Sequence, residues 1–150
     1  MFGQDNSVVQ FDHVNFEYAR SVQNYSKAAL ANGETSDNEF VLKANYDEVI
    51  GVAVYDGSAG DAVPFSMGVR SGNGDVLQDV TPRKSWVFTG SSSQDSQMPE
   101  SHHYKMINLD YNKTGDKMLS FQISNLSGAA FSGTLLLYVI VLSKRPRKSV

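Results

Sequence analysis

The stretch Leu135-Leu136-Leu137-Tyr138-Val139-Ile140-Val141-Leu142 is apolar at every position and runs, through Ser143, into Lys144, Arg145, Pro146, Arg147 and Lys148. It is less than half the ~20 residues that a membrane-spanning helix needs. A strand that is apolar on both faces has no side it can show to water. Burying the eight side chains is worth on the order of 10 kcal/mol or more, at roughly 1.5–3 kcal/mol each. The run is therefore predicted to be a central strand, covered on its far face by another layer or by another subunit. Its role is structural.

The rest of the composition agrees with a single folded unit. A chain of 150 residues is long enough for one domain that buries roughly 70% of its unfolded surface. Cysteine is absent, which rules out a disulfide frame, a thiolate metal site and a cysteine nucleophile, and fits cytoplasmic synthesis. The amino end, Met1-Phe2-Gly3-Gln4-Asp5-Asn6, has neither the basic nor the apolar region of a signal peptide. A soluble protein is expected. Triplets of the glycosylation type begin at Asn24, Asn112 and Asn125, but they arise by chance in a chain rich in Ser and Asn. The formal charge of −3 is unevenly placed, because removing the four cations Lys144, Arg145, Arg147 and Lys148 leaves 9 basic against 16 acidic residues, or −7. An acidic body repels nucleic acid, so nucleic acid is not expected as a partner.

Working back from the apolar run, short strands alternate with turns. Val8 to Phe16 reads as a strand with a bulge near Asp12-His13, where the apolar positions change parity. Tyr18, Val22, Tyr25 and Ala29 recur at helical spacing before Asn32-Gly33 and predict one short helix, or else an irregular arm or edge strand. From Phe40 the period is two, with Phe40, Leu42, Ala44 and Tyr46 on one side. Val49 to Tyr55, Phe65 to Arg70 and Val76 to Val80 follow, the last two joined through Asn73-Gly74 as a type I′ hairpin. Trp86 and Phe88 mark a further strand. A polar loop of about a dozen residues then reaches Pro99, long enough to be a contact element. Lys105 to Tyr111 and Met118 to Ser124 flank a second predicted hairpin at Asn112-Lys113-Thr114-Gly115-Asp116, and Thr134 to Ser143 closes the chain. Eight or nine strands without a βαβ rhythm predict an all-β antiparallel sandwich, a jelly roll. The domain is expected to span 1–143, with 1–33 containing the arm or helix and 144–150 forming a basic tail.

His102 and His103 are adjacent, so an extended segment points them apart, and His13 is distant in sequence; they read as loop histidines rather than zinc ligands. Gly57-Ser58-Ala59-Gly60 lacks the spacing of a nucleophile elbow. Asp56 and Asp61 could bind calcium with loop carbonyls, but aspartates beside glycines are first of all turn formers. Trp86, Tyr104 and Tyr111 could give a flat platform for a pyranose ring, against a core role for the same aromatics. No enzyme, cofactor or metal is expected. The remaining features favour assembly, with Lys144, Arg145, Arg147 and Lys148 of the tail and Gln94, Asp95 and Gln97 of the long loop as candidate partner-binding residues.

The strand rhythm from Phe40 to Ser143, the terminal apolar run, the absence of cysteine and the amide- and hydroxyl-rich loops resemble the small jelly-roll proteins of virions, in particular the cement or decoration proteins of tailed-phage heads. The resemblance implies a non-enzymatic structural protein located in the virion after synthesis in the host cytoplasm. It implies a symmetric homo-oligomer, a dimer or trimer, that bridges neighbouring copies of a larger scaffold such as a major capsid protein, with no membrane partner. Single jelly rolls that form RNA-virus capsids are similar but carry their basic arm at the amino end, whereas here the cations lie at the other end, which counts against genome packaging. The alternative is a carbohydrate-binding, lectin-like or host-attachment module.

Overall fold

The apolar run lies in a thirteen-residue strand, Thr134–Pro146, that is hydrogen-bonded to a neighbour on each side. The structure is a computed structural model that describes residues 9–28, 31–56, 65–87, 104–129 and 134–147. Among the described residues its strands are β1 (Phe16–Ala28), β2 (Thr35–Val41), β3 (Glu48–Asp56), β4 (Ser66–Ser71), β5 (Val76–Pro82), β6 (Lys105–Asp110), β7 (Met118–Ser124) and β8 (Thr134–Pro146), with one α-helical turn, α1 (Tyr111–Thr114), and one 3-10 turn, Arg83–Ser85. They form two four-stranded sheets, ordered β1-β8-β3-β6 and β2-β7-β4-β5. Every strand pairing is antiparallel, and the pairs β1·β8, β2·β7, β3·β6 and β4·β5 are nested like the rungs of one long hairpin rolled upon itself. That is the connectivity of a jelly roll, as the sequence predicted.

β8 is buried along its inner face and, on its outer face, at Ile140 and Leu142, while the outward Leu136 and Tyr138 of the apolar run are only half-buried; the two faces meet different layers. Leu135, Leu137, Val139 and Val141 point between the sheets, where they join Val52 and Val54 of β3 and Phe40, Met67, Leu119, Phe121 and Ile123 of the opposite sheet. Ile140 and Leu142 point outward and pack with Val9, Ile50, Ala53 and Tyr104, flanked by Phe11 and Tyr18. The covering layer at that end of β8 is thus supplied by the chain itself. Gly51 makes room for it: a Cβ there would lie 3.0 Å from both Tyr104 Cβ and Val9 Cγ2. No helix among the described residues is long and apolar enough to cross a membrane.

Several local expectations are corrected. Of the readings offered for Tyr18 to Ala29, the edge strand holds and the helix does not: residues 16–28 are β1, the outer strand of its sheet, paired with β8 over their whole length from Phe16 opposite Pro146 to Ala28 opposite Thr134. Ser21, Val22, Asn24, Tyr25 and Ser26 have weak helix propensity, so the tertiary pairing decides. Residues ahead of β1 are not a bulged strand, because the Asp12 carboxylate accepts from Val14 N and Asn15 N at 3.2 Å each and turns the chain. The loop between β4 and β5 is not type I′. Ser71 N donates to Asp75 O and Gly74 N to Ser71 O, and of the loop residues only Gly74 has positive φ, at 95°, which gives a three-residue loop ending in a left-handed glycine. β6 and β7 are not a hairpin, since they belong to different sheets. Asp110 caps α1 through Lys113 N and Gly115 closes it in the left-handed region, so the turn carries the chain from one sheet to the other. Trp86 follows a 3-10 turn, Arg83–Ser85, instead of lying within a strand. Finally, β8 runs three residues past the expected boundary at 143, to Pro146.

Candidate functional site

The cations after Ser143 hold the amino-terminal turn to the end of β8. Lys144 Nζ lies 3.5 Å from Glu48 Oε2 and 4.2 Å from the centre of the Phe16 ring. Arg145 donates to Glu17 Oε2 at 3.1 Å and to Asn45 O at 2.9 Å, and covers the Tyr46 ring at 4.5 Å. Arg147 donates from its backbone N to Asn15 O at 2.8 Å and from Nε to His13 O at 3.1 Å. Each ion pair is partly exposed and worth less than about 1 kcal/mol; their shared effect is to fix the register of β1 on β8. Lys148, Gln94, Asp95 and Gln97 lie outside the described residues.

The aromatic platform is not formed. Trp86 and Tyr104 are each 2% exposed and Tyr111 is 8% exposed, so none presents a ring face to a sugar. Trp86 Nε1 donates to Met67 O at 2.9 Å, fastening the 3-10 turn to β4, and Lys105 Nζ lies 5.5 Å from its ring. Tyr111 donates its hydroxyl to Lys43 O at 2.7 Å. Arg20 Nε reaches across the outer face of β8 to the Tyr104 hydroxyl at 2.8 Å. Burial raises the pKa of Tyr104 and of Tyr111, and the neighbouring guanidinium of Arg20 only partly offsets this at Tyr104.

Asp56 Oδ2 accepts from Arg83 at 3.2 Å (Nε) and 2.9 Å (Nη2), so a guanidinium pairs with this carboxylate. Asp61, Ser58, His102 and His103 lie outside the described residues. His13 stacks on Phe11 with ring centres 5.4 Å apart. Among the described residues no group of three or more His, Asp or Glu side chains could hold a metal ion.

One surface gathers polar groups that the sequence analysis did not assemble. On the outer side of β2-β7-β4 a groove of about 720 Å³ is lined by Asp37, Glu39, Arg70, Ser120 and Gln122. The sheet register sets these groups side by side: Glu39 and Arg70 lie opposite Ser120 from its two neighbours, and Asp37 lies opposite Gln122. Gln122 Nε2 donates to Ser120 Oγ at 2.9 Å, while the Asp37, Glu39 and Arg70 side chains are exposed. Carboxylates, a guanidinium, an amide and a hydroxyl form an array suited to hydrogen-bonding a polar ligand or partner. Arg70, Ser120 and Gln122 alternate with apolar residues, so their place on an outer face was readable; Asp37 and Glu39 precede the strand expected from Phe40 and join it only because β2 begins at Thr35. Compared with known proteins, the chain matches no protein-family model and no characterised protein.

Proposed function

We propose that this protein is a non-enzymatic structural component of a protein shell, of the cement or decoration kind that reinforces a virion, acting as a symmetric oligomer bound to a larger scaffold. The observation that carries the reading is what the chemically capable side chains are engaged in. Trp86, Tyr104, Tyr111, Asp56, Glu17 and Glu48 each hold one part of the rolled hairpin to another. What the molecule presents outward is sheet edge and a polar sheet face, the material of subunit contacts. Light scattering of the purified protein should give a dimer or trimer at micromolar concentration, and co-sedimentation should show attachment to shells of the scaffold. A monomer that attaches to no shell overturns the reading.

The groove of Asp37, Glu39, Arg70, Ser120 and Gln122 supports a second reading, a glycan-binding attachment module that uses hydrogen bonds without an aromatic platform. On that reading a glycan array gives hits that Arg70→Ala abolishes, and an empty array dismisses it.

A further inference from the structure

β1 is an outer strand of its sheet, and it differs from the other three outer strands. β6 is six residues long and its pairing with β3 slips at Val49/Gly51; β5 carries Asp79, ends at Pro82 and slips twice against β4. β2 exposes Asp37 and Glu39, and the Gln23 amide occupies the Glu39 carbonyl at 3.0 Å. Charge, proline and irregularity are the devices that keep sheet edges from adding strands. β1 has thirteen residues paired without a slip, contains neither glycine nor proline, and carries no charge from Ser21 to Ser26; at its midpoint Val22 is 58% exposed.

We propose that β1 pairs with β1 of a second copy of this chain, antiparallel about a two-fold axis at Val22, so that the two β1-β8-β3-β6 sheets become one continuous sheet. The proposal rests on the oligomeric reading above and names its interface. Facing residues of an antiparallel pair share a face, so the axis must pass through a residue and not between two. Through Val22 every position of β1 finds a partner: Glu17 faces Lys27 on both sides of the axis, Arg20 faces Asn24, and the two exposed valines meet. Through Arg20 two guanidinium groups would collide. Through Ser21, Gln23 or Asn24 the overlap shortens and Glu17 no longer faces Lys27. Glu17 and Lys27 keep their own neighbours, Arg145 and Glu34, and the added opposition selects the register.

The absence of native cysteine makes single-cysteine variants a direct test. Facing Cα atoms in an antiparallel pair are about 4.5–5.5 Å apart, inside the roughly 4.4–6.8 Å range of a disulfide. Val22→Cys should therefore become a covalent dimer under mild oxidation. Asn24→Cys places its copy four residues along, about 13.6 Å away at ~3.4 Å per residue, and should stay uncrosslinked, as should Val14→Cys. Val22→Lys sets two ammonium groups face to face and should weaken the dimer at least about tenfold while Trp86 fluorescence is unchanged. Equal crosslinking at 22 and 24, or a dimer indifferent to Val22→Lys, overturns the β1 interface. If light scattering shows an oligomer and Val22→Cys does not crosslink, this interface fails and the assembly reading stands; a wild-type monomer that binds no shell removes both.

Discussion

Replacing Leu137 and Ile140 separately by alanine tests whether β8 is packed on both faces. Leu137 is 0% exposed between the sheets, and Ile140 is 1% exposed beneath Val9 and Tyr104. Each change removes three carbons, about 2.4 kcal/mol of transfer free energy at ~0.8 kcal/mol per methylene. The cavity adds to this at about 24 cal/mol per Å³ of space that does not collapse. Around Leu137 both sheets are held by hydrogen-bonded neighbours and little collapse is available, which places Leu137→Ala near 4 kcal/mol within the roughly 2–5 kcal/mol observed for such changes. Around Ile140 the cover includes Val9 and Phe11, which precede the first strand and can settle inward, so Ile140→Ala should cost about 2–3 kcal/mol. Urea unfolding followed by Trp86 fluorescence measures both, because the single tryptophan sits in the inter-sheet core. An Ile140→Ala protein within about 0.5 kcal/mol of wild type, the size of a surface substitution, would refute the two-layer account of β8.

Three further outcomes follow from named contacts. Truncation after Ser143 removes the Lys144, Arg145 and Pro146 pairings with Tyr18, Glu17 and Phe16 and should lower stability by about 2 kcal/mol, with backbone bonds worth roughly 0.5–1.5 kcal/mol each; an unchanged urea midpoint would show these residues to be a free tail. Arg83→Met takes the cation from the Asp56 carboxylate, which is 5% exposed, and should cost about 1–3 kcal/mol, measured by thermal melting. Burial raises the pKa of Tyr25, Tyr104 and Tyr111 in the fold. A folded value above the unfolded one gives stability that is complete below about pH 10 and is lost as pH rises through the folded values, because the unfolded chain ionises first. The urea midpoint should fall above about pH 10, and a midpoint that stays level there contradicts the burial of these hydroxyls.

Features governed by neighbours along the chain were readable from the residues. The all-apolar run from Leu135 to Leu142 had to be central, and the period of two in Phe65 to Arg70 and Met118 to Ser124 gave strands with the correct inward faces; the same period from Phe40 to Tyr46 did not, because β2 runs from Thr35 to Val41 and the chain turns at Ala44 and Asn45, where Asn45 has φ 68°. What depended on distant partners was not readable. Tyr18, Val22 and Tyr25 suit a helix and a strand alike, and only the pairing with β8 selects the strand. Asn112 to Asp116 has the composition of a hairpin turn, yet Asp110 and Gly115 cap a helical turn that changes sheets. Lys144, Arg145 and Arg147 look like a tail until Glu17 and Glu48 are brought to them by the roll. The polar groove follows the same rule: Arg70, Ser120 and Gln122 are recognisably outward residues, but their meeting with Asp37 and Glu39 on one face is a property of the strand order.

The nesting of β1 with β8 has a consequence for how the protein is made. Ala28 at the end of β1 must wait for Thr134 at the start of β8, a separation of 106 residues, so the pairing that completes its sheet closes the longest loop in the fold. Loop closure of that span comes late and slowly, since entropy must be lost before any contact repays it. On the ribosome β1 therefore stands with both of its sides open until β8 has emerged. During that interval an unguarded edge is exposed to any extended polypeptide nearby. Yield of the native protein should accordingly depend on the speed of translation and on chaperones that shield strands, more than on the stability of the finished molecule.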